Sequence, residues 1–238
     1  MLSSRVSAGI EIPPSACLQG RLMDFARARH LMVETQVRPS DVTDPAILHA
    51  MRTIPREAFA PADRKLFAYA DQELDVAAGR CLMRPRDLGK LIQALAPKPG
   101  ERGLEIAGAT GYGAAVLARC GVETTLLEQN AELNFAAVAA IGACGIGNVQ
   151  TASTEITAGW ADLAPYNVIM LNGSTEVVPD AWLGQLAEGG RLGVIVRSGP
   201  AGHARLYTKA GGVTAYRVIF DAAPPLAPGL AAKPQFAF

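Results

Sequence analysis

The sequence predicts an α/β fold: a doubly wound, mostly parallel seven-stranded sheet with an antiparallel C-terminal hairpin and a group of helices ahead of it. Three observations carry this. Short apolar runs alternate with helical patterns from about residue 103 to 196, the signature of parallel strands joined by crossover helices. Two β-patterned runs near the end meet at Gly211-Gly212, which marks a hairpin and hence an antiparallel edge. Before the alternation begins, residues 24–96 carry three amphipathic patterns of helical period.

Taken in order, "DFARARHLMVETQV" places Phe25, Leu31, Met32 and Val37 at helical recurrence. In "TDPAILHAM", Asp44 suits an N-cap and Pro45 the first helical position, where a missing N–H costs nothing. Ile47, Leu48 and Met51 then face the core. The stretch "YADQELDVAAGRCLMRP" has no clear period and is expected to be a long structured loop, after which "RDLGKLIQALA" forms a helix. "GLEI", "TTLLE", "NVQTA", "NVIMLN" and "RLGVIV" read as strands, with helices over 111–119, 130–143 and "PDAWLGQLA". One domain over 23–222 accommodates all of this. Residues 1–22 are unlike the rest and read as a disordered leader or an upstream start. The proline-rich tail 223–238 is expected to run over the surface.

Half of the residues are apolar, so the chain can bury a large core, and equal numbers of acids and bases leave no basic footprint for nucleic acid or anionic membrane. No apolar run is long enough to span a bilayer. Glu11, Pro13 and Pro14 interrupt any signal-peptide core. The four cysteines and three histidines are scattered without metal-ligand spacing. A cytoplasmic protein with reduced thiols and no bound metal is the expectation. Trp160 and Trp182 read as core residues.

The segment "LEIAGATGYGAAVLA" has the layout of a cofactor turn: an acid ending a strand, a loop of small residues, then a helix. It lacks the Gly-Lys-Ser/Thr of a phosphate loop, and glycines at 108, 111 and 113 have the wrong spacing for a dinucleotide fingerprint. The S-adenosylmethionine turn fits better, with Glu105, Ala107, Gly108, Ala109 and Gly111 as candidate cofactor residues. Glu128 at the next strand end could accept ribose hydroxyls, and Glu155, one strand later, could meet an adenine amino group. Acids also occur at strand ends because those ends are solvated, so the spacing alone leaves both readings open.

Residues 32–61, "MVETQVRPSDVTDPAILHAMRTIPREAFAP", resemble the amino-terminal signature of protein-L-isoaspartate O-methyltransferases. The resemblance continues through "AYADQEL", the turn, "LLEQN", "NVQTASTEITAGW", "APYNVIMLNGSTEVVP" and "QLAEGGRLGVIV", from about residue 28 to about 200. It implies a Rossmann-like methyltransferase fold. It further implies methyl transfer from S-adenosylmethionine to the side-chain carboxylate of an isoaspartyl residue in a damaged protein, as a step in its repair.

Three departures from the family pattern bear on function. Ala107 and Ala109 replace glycines and put a Cβ into the turn, which at positive φ costs roughly 1–2 kcal/mol each. In the substrate loop, "AAGRCLMRP" replaces Gly-x-Gly-Gln-Thr-Ile-Ser-x-Pro, so Met83 stands where the family's serine holds the substrate carboxylate. Asn167 replaces an aspartate at the head of the fourth strand. The same loop carries Arg80, Arg84 and Arg86, which could recognise an anion or simply be solvated charges. Three readings stay open: an isoaspartyl methyltransferase, a methyltransferase with another acceptor, and a binding or scaffold protein that has lost the cofactor.

Overall fold

The computed structural model describes residues 23–77 and 79–232; residues 1–22, on which the expectation of a leader or upstream start falls, and 233–238 lie outside it. The N-terminal part is helical. Helix α1 (Phe25–Met32) starts where the Asp24 carboxylate accepts the Arg27 N–H at 2.9 Å. It widens into a π turn at Val33–Val37 and stops where Asp41 takes a left-handed φ of 65°. Met32 and Val37 are buried, whereas Leu31, expected inside, is 47% exposed because only its neighbour Met32 can share the inward face. Helix α2 (Pro45–Thr53) is capped as expected: the Asp44 side chain accepts from Ala46 N and Ile47 N, and Ile47, Leu48 and Met51 point inward.

The stretch expected to be irregular instead forms a small antiparallel hairpin, β1 (Leu74–Ala77) and β2 (Arg80–Leu82), before helix α3 (Pro85–Leu95). Strands this short show no recurrence of their own. They form because Leu74, Cys81, Leu82 and the following Met83 bury themselves against the main domain.

The main sheet has seven strands in the order β5-β4-β3-β6-β7-β8-β9. These are β3 (Arg102–Ile106), β4 (Glu123–Leu127), β5 (Val149–Ala152), β6 (Tyr166–Thr175), β7 (Leu186–Ser198), β8 (Ala201–Ala210) and β9 (Val213–Asp221). Pairings from β5 to β7 are parallel, and β7–β8 and β8–β9 are antiparallel, with Gly211 and Gly212 at positive φ in the final turn. Both faces are covered, as a parallel sheet requires. Along β6, Val168 and Met170 pack into one core with α2, α3 and α4 (Tyr112–Arg119), while Ile169 and Leu171 pack into the other with Trp182. The Trp182 indole donates to Ile156 O at 2.8 Å. Helix α5 (Ala131–Ala143) follows β4, with its N-terminus capped by Asn130.

Two boundaries differ from expectation. Helix α6 (Asp180–Gly184) stops short of the expected end, because Leu186 already pairs with Tyr166 and belongs to β7. The described part of the tail packs against the end of β6 and does not trail over the surface. Ala227 and Leu230 are buried, Ala227 N donates to Ser174 O at 2.9 Å and Glu176 N to Leu230 O at 3.0 Å. Asn167 serves the sheet, its side-chain oxygen accepting from Arg102 N at 2.9 Å.

The order β4-β3-β6 places the switch in strand order beside the carboxyl end of β3, where ligands bind in folds of this kind.

Candidate cofactor and substrate site

The turn from β3 to α4 lies at that switch. Ala107 and Ala109 are wholly buried and take left-handed φ values of 56° and 52°. The chain therefore keeps at its alanines the backbone shape for which glycine is the easy choice, at a strain of roughly 1–2 kcal/mol each. The glycines are spent elsewhere. A Cβ on Gly108 would lie 2.0 Å from Leu126 Cδ1, and one on Gly113 would lie 1.9 Å from Glu105 Oε1. Gly111, at φ 88°, is the N-cap of α4. Thr110 pins the turn to the N-terminal part by donating to Phe59 O at 2.7 Å.

Glu105 turns beneath the loop. Its Oε2 accepts the Ala114 N–H at 2.7 Å, while Oε1 has no partner. Complete burial pushes its carboxyl up to about 8; the Ala114 N–H opposes this and nearby Glu128 adds to it. At neutral pH it is a largely neutral group under the helix start.

Glu128 follows β4 and is fully buried. Its carboxylate accepts from Ala109 N and Asn130 N, each at 3.0 Å. It also accepts two N–H bonds from the guanidinium of Arg80, from Nε at 3.0 Å and Nη2 at 3.3 Å. Arg80 is itself nearly buried, and its Nη1 has no partner. Asn172 ties the hairpin down, donating to Cys81 O at 2.9 Å and to Ala107 O at 3.2 Å. Arg56, also buried, donates to Ala68 O and Met83 O at 2.7 Å and stacks 4.7 Å from the Tyr112 ring centroid. Cys81 is no nucleophile: burial, with Glu73 and Asp75 nearby, pushes its thiol up to about 12.

The structure thus gathers Arg80, Glu105, Ala107, Gly108, Ala109, Gly111 and Glu128, with Met83 buried behind the hairpin. Glu155 is exposed after β5, next to Ile156, whose N–H donates to Gln129 Oε1 at 3.4 Å. The three loop arginines do not form one anion site. Arg84 lies 3.8 Å from Asp71 and 3.9 Å from Glu73, and Arg86 pairs with Asp87 at 3.2 Å. Arg84 and Arg86 find acids just before and after the loop, whereas Arg80 takes the distant Glu128. Arg56 was not singled out as a site residue from the sequence, lying inside "IPREAFAP" with no role attached. Asn172 opens "NGST", which matches a glycosylation acceptor but at a strand end could line the pocket; its side chain is turned inward. An open cleft of about 480 Å³ lies on the outer side of the hairpin, lined by Pro61, Asp63, Arg64, Asp75 and Gly79. Among the described residues no group of three or more His, Cys, Asp or Glu could hold a metal, and no helix is long and apolar enough to cross a membrane.

Comparison with known proteins agrees with this geometry. The family model for protein-L-isoaspartate(D-aspartate) O-methyltransferase matches residues 27–219. A protein-L-isoaspartate O-methyltransferase of Methylorubrum populi is 41% identical over 181 residues, covering 76% of this chain and 83% of that one. Protein-L-isoaspartate O-methyltransferase 1 of Rhodopseudomonas palustris is 41% identical over 168 residues, covering 71% and 69%. Among solved structures, a protein-L-isoaspartate O-methyltransferase superposes with a TM-score of 0.74 at 24% identity, over 86% of this chain and 66% of the other. A Plasmodium falciparum chain described as the same enzyme, in complex with S-adenosyl-L-homocysteine, gives 0.72 at 17% identity over 84% and 97%. These two likenesses speak to the fold, and the sequence matches to descent. The chain belongs to the protein-L-isoaspartate O-methyltransferase family.

Proposed function

We propose that this chain transfers a methyl group from S-adenosylmethionine to the side-chain carboxylate of an isoaspartyl residue in a protein or peptide. The observation that carries the reading is Glu128. It is a buried carboxylate at the end of β4, bonded to the backbone of a turn that keeps its left-handed shape at two alanines. Such strain is retained where surrounding structure or function demands it. The turn and Glu128 fit the nucleoside half of the cofactor; Arg80 is the one group that stands in its way.

Bound there, S-adenosylmethionine would supply an electrophilic methyl group. The acceptor carboxylate is ionised at neutral pH, so the chain has to position it and keep water away, not deprotonate it. Glu128 would hold ribose hydroxyls, the turn 107–111 would lie against the cofactor, and the hairpin β1–β2 would separate it from the outer cleft where a peptide could lie. With Met83 in place of a serine and its side chain buried, acceptor recognition falls to backbone and to other side chains of that loop.

A second reading, a binding protein that no longer takes the cofactor, is favoured by one observation, the ion pair between Arg80 and Glu128. An assay with methyl-labelled S-adenosylmethionine and a matched pair of peptides, one isoaspartyl and one aspartyl, separates the two. Base-labile methyl ester on the isoaspartyl peptide alone is expected. Ester on neither peptide, from the native chain and from an Arg80→Gln variant, would leave the binding-protein reading standing.

A further inference from the structure

We propose that Arg80 is an internal latch: in the ligand-free protein its guanidinium occupies the carboxylate of Glu128, and the cofactor binds only to molecules in which Arg80 has let go. The inference rests on the proposed S-adenosylmethionine site.

A carboxylate offers about four lone-pair positions. Those of Glu128 are taken by Ala109 N, Asn130 N, and Nε and Nη2 of Arg80. The two backbone donors belong to the turn and its neighbour, so the only pair of bonds that ribose hydroxyls could replace is that from Arg80. Ribose hydroxyls and the guanidinium compete for the same lone pairs of one carboxylate, so the two arrangements exclude each other.

The latch is also built to open. Arg80 Nη1 is buried with no partner, so the closed state leaves one polar nitrogen unsatisfied, a cost that release to solvent would remove. Asn172 holds the strand at Cys81, one residue further on, so β2 stays seated while the end of the hairpin moves. That end is Gly79, at φ 69°, where a Cβ would lie 2.6 Å from Pro228 Cγ. The docked tail therefore bears directly on the residue beside the latch.

An equilibrium of this kind weakens apparent affinity by the fraction of molecules that are open. Calorimetric titration of the full chain with S-adenosylhomocysteine, native against Arg80→Gln and Arg80→Met, reads that fraction. Tightening by about tenfold or more in the substituted proteins is expected. In the native protein, saturating ligand should speed amide hydrogen exchange around Gly79 and Arg80, a readout that survives if the variants fail to fold. Equal affinity in native and substituted proteins, or slower exchange at 79–80 on binding, would overturn the latch and leave the methyltransferase reading intact. Weaker binding by the variants would overturn it too, making Arg80 a ligand-holding residue. Absence of binding in all three proteins at about 10 mM ligand, some 10⁴-fold beyond a micromolar Kd, would overturn both.

Discussion

At the scale of single residues, the site is organised by where Cβ atoms and charges are tolerated. Ala107 and Ala109 accept positive φ, whereas Gly108 and Gly113 leave room for Leu126 and the Glu105 carboxyl. The glycine spacing is therefore set by packing against Glu105 and not by the fingerprint of a cofactor turn. Glu105 itself gives a pH signature. Its carboxyl is raised by burial to about 8, against 4.5 as the reference value. Between those values the folded chain keeps a proton that the unfolded chain has released. Its contribution to stability is present in full below about pH 4.5, declines as pH rises and is gone above about pH 8. The expected size is on the order of a few kcal/mol. Urea unfolding at pH 5 and pH 8 should show this decline in the native protein and a much flatter profile in Glu105→Gln. An unchanged decline in the variant would assign the slope to another group.

Among the elements, the hairpin β1–β2 and the docked tail do most to shape the site. Neither was legible in the sequence. Strands of four and three residues carry too little alternation to register, and the tail's Ala227 and Leu230 are buried only because β6 extends far enough to pair with them. The pairing of Arg80 with Glu128 joins β2 to the residue that follows β4, 48 positions apart, a relation no local pattern encodes. By contrast, the cap at Asp44, the turn at Gly211-Gly212 and the strand runs were legible, because each depends on neighbours in sequence. The docking of the tail is testable by itself. Leu230 is 3% exposed within the Trp182 core, so Leu230→Ala should lower unfolding free energy by about 2–4 kcal/mol. A surface tail would change it by under about 0.5 kcal/mol.

Over the whole molecule, the seven-stranded sheet brings the ends of β3, β4 and β6 to one edge of the switch, and the N-terminal helices and hairpin close over them. Arg191 fastens this arrangement from the opposite end. It donates to Leu95 O and Ala96 O at the close of α3 and pairs with Glu101 at 2.8 and 2.9 Å. The centre of the sheet was predictable because β3, β4 and β6 are runs buried on both faces. The state of the site was not, because on the proposed reading it depends on which of two partners, an arginine of the chain or a ribose of the cofactor, holds one buried carboxylate. The most direct test is a crystal structure of the full chain grown with S-adenosylhomocysteine. The account predicts ligand against the turn 107–111, its ribose hydroxyls on Glu128 and Arg80 withdrawn. Ligand seated elsewhere, or Arg80 still on Glu128 with the ligand in place, would contradict it.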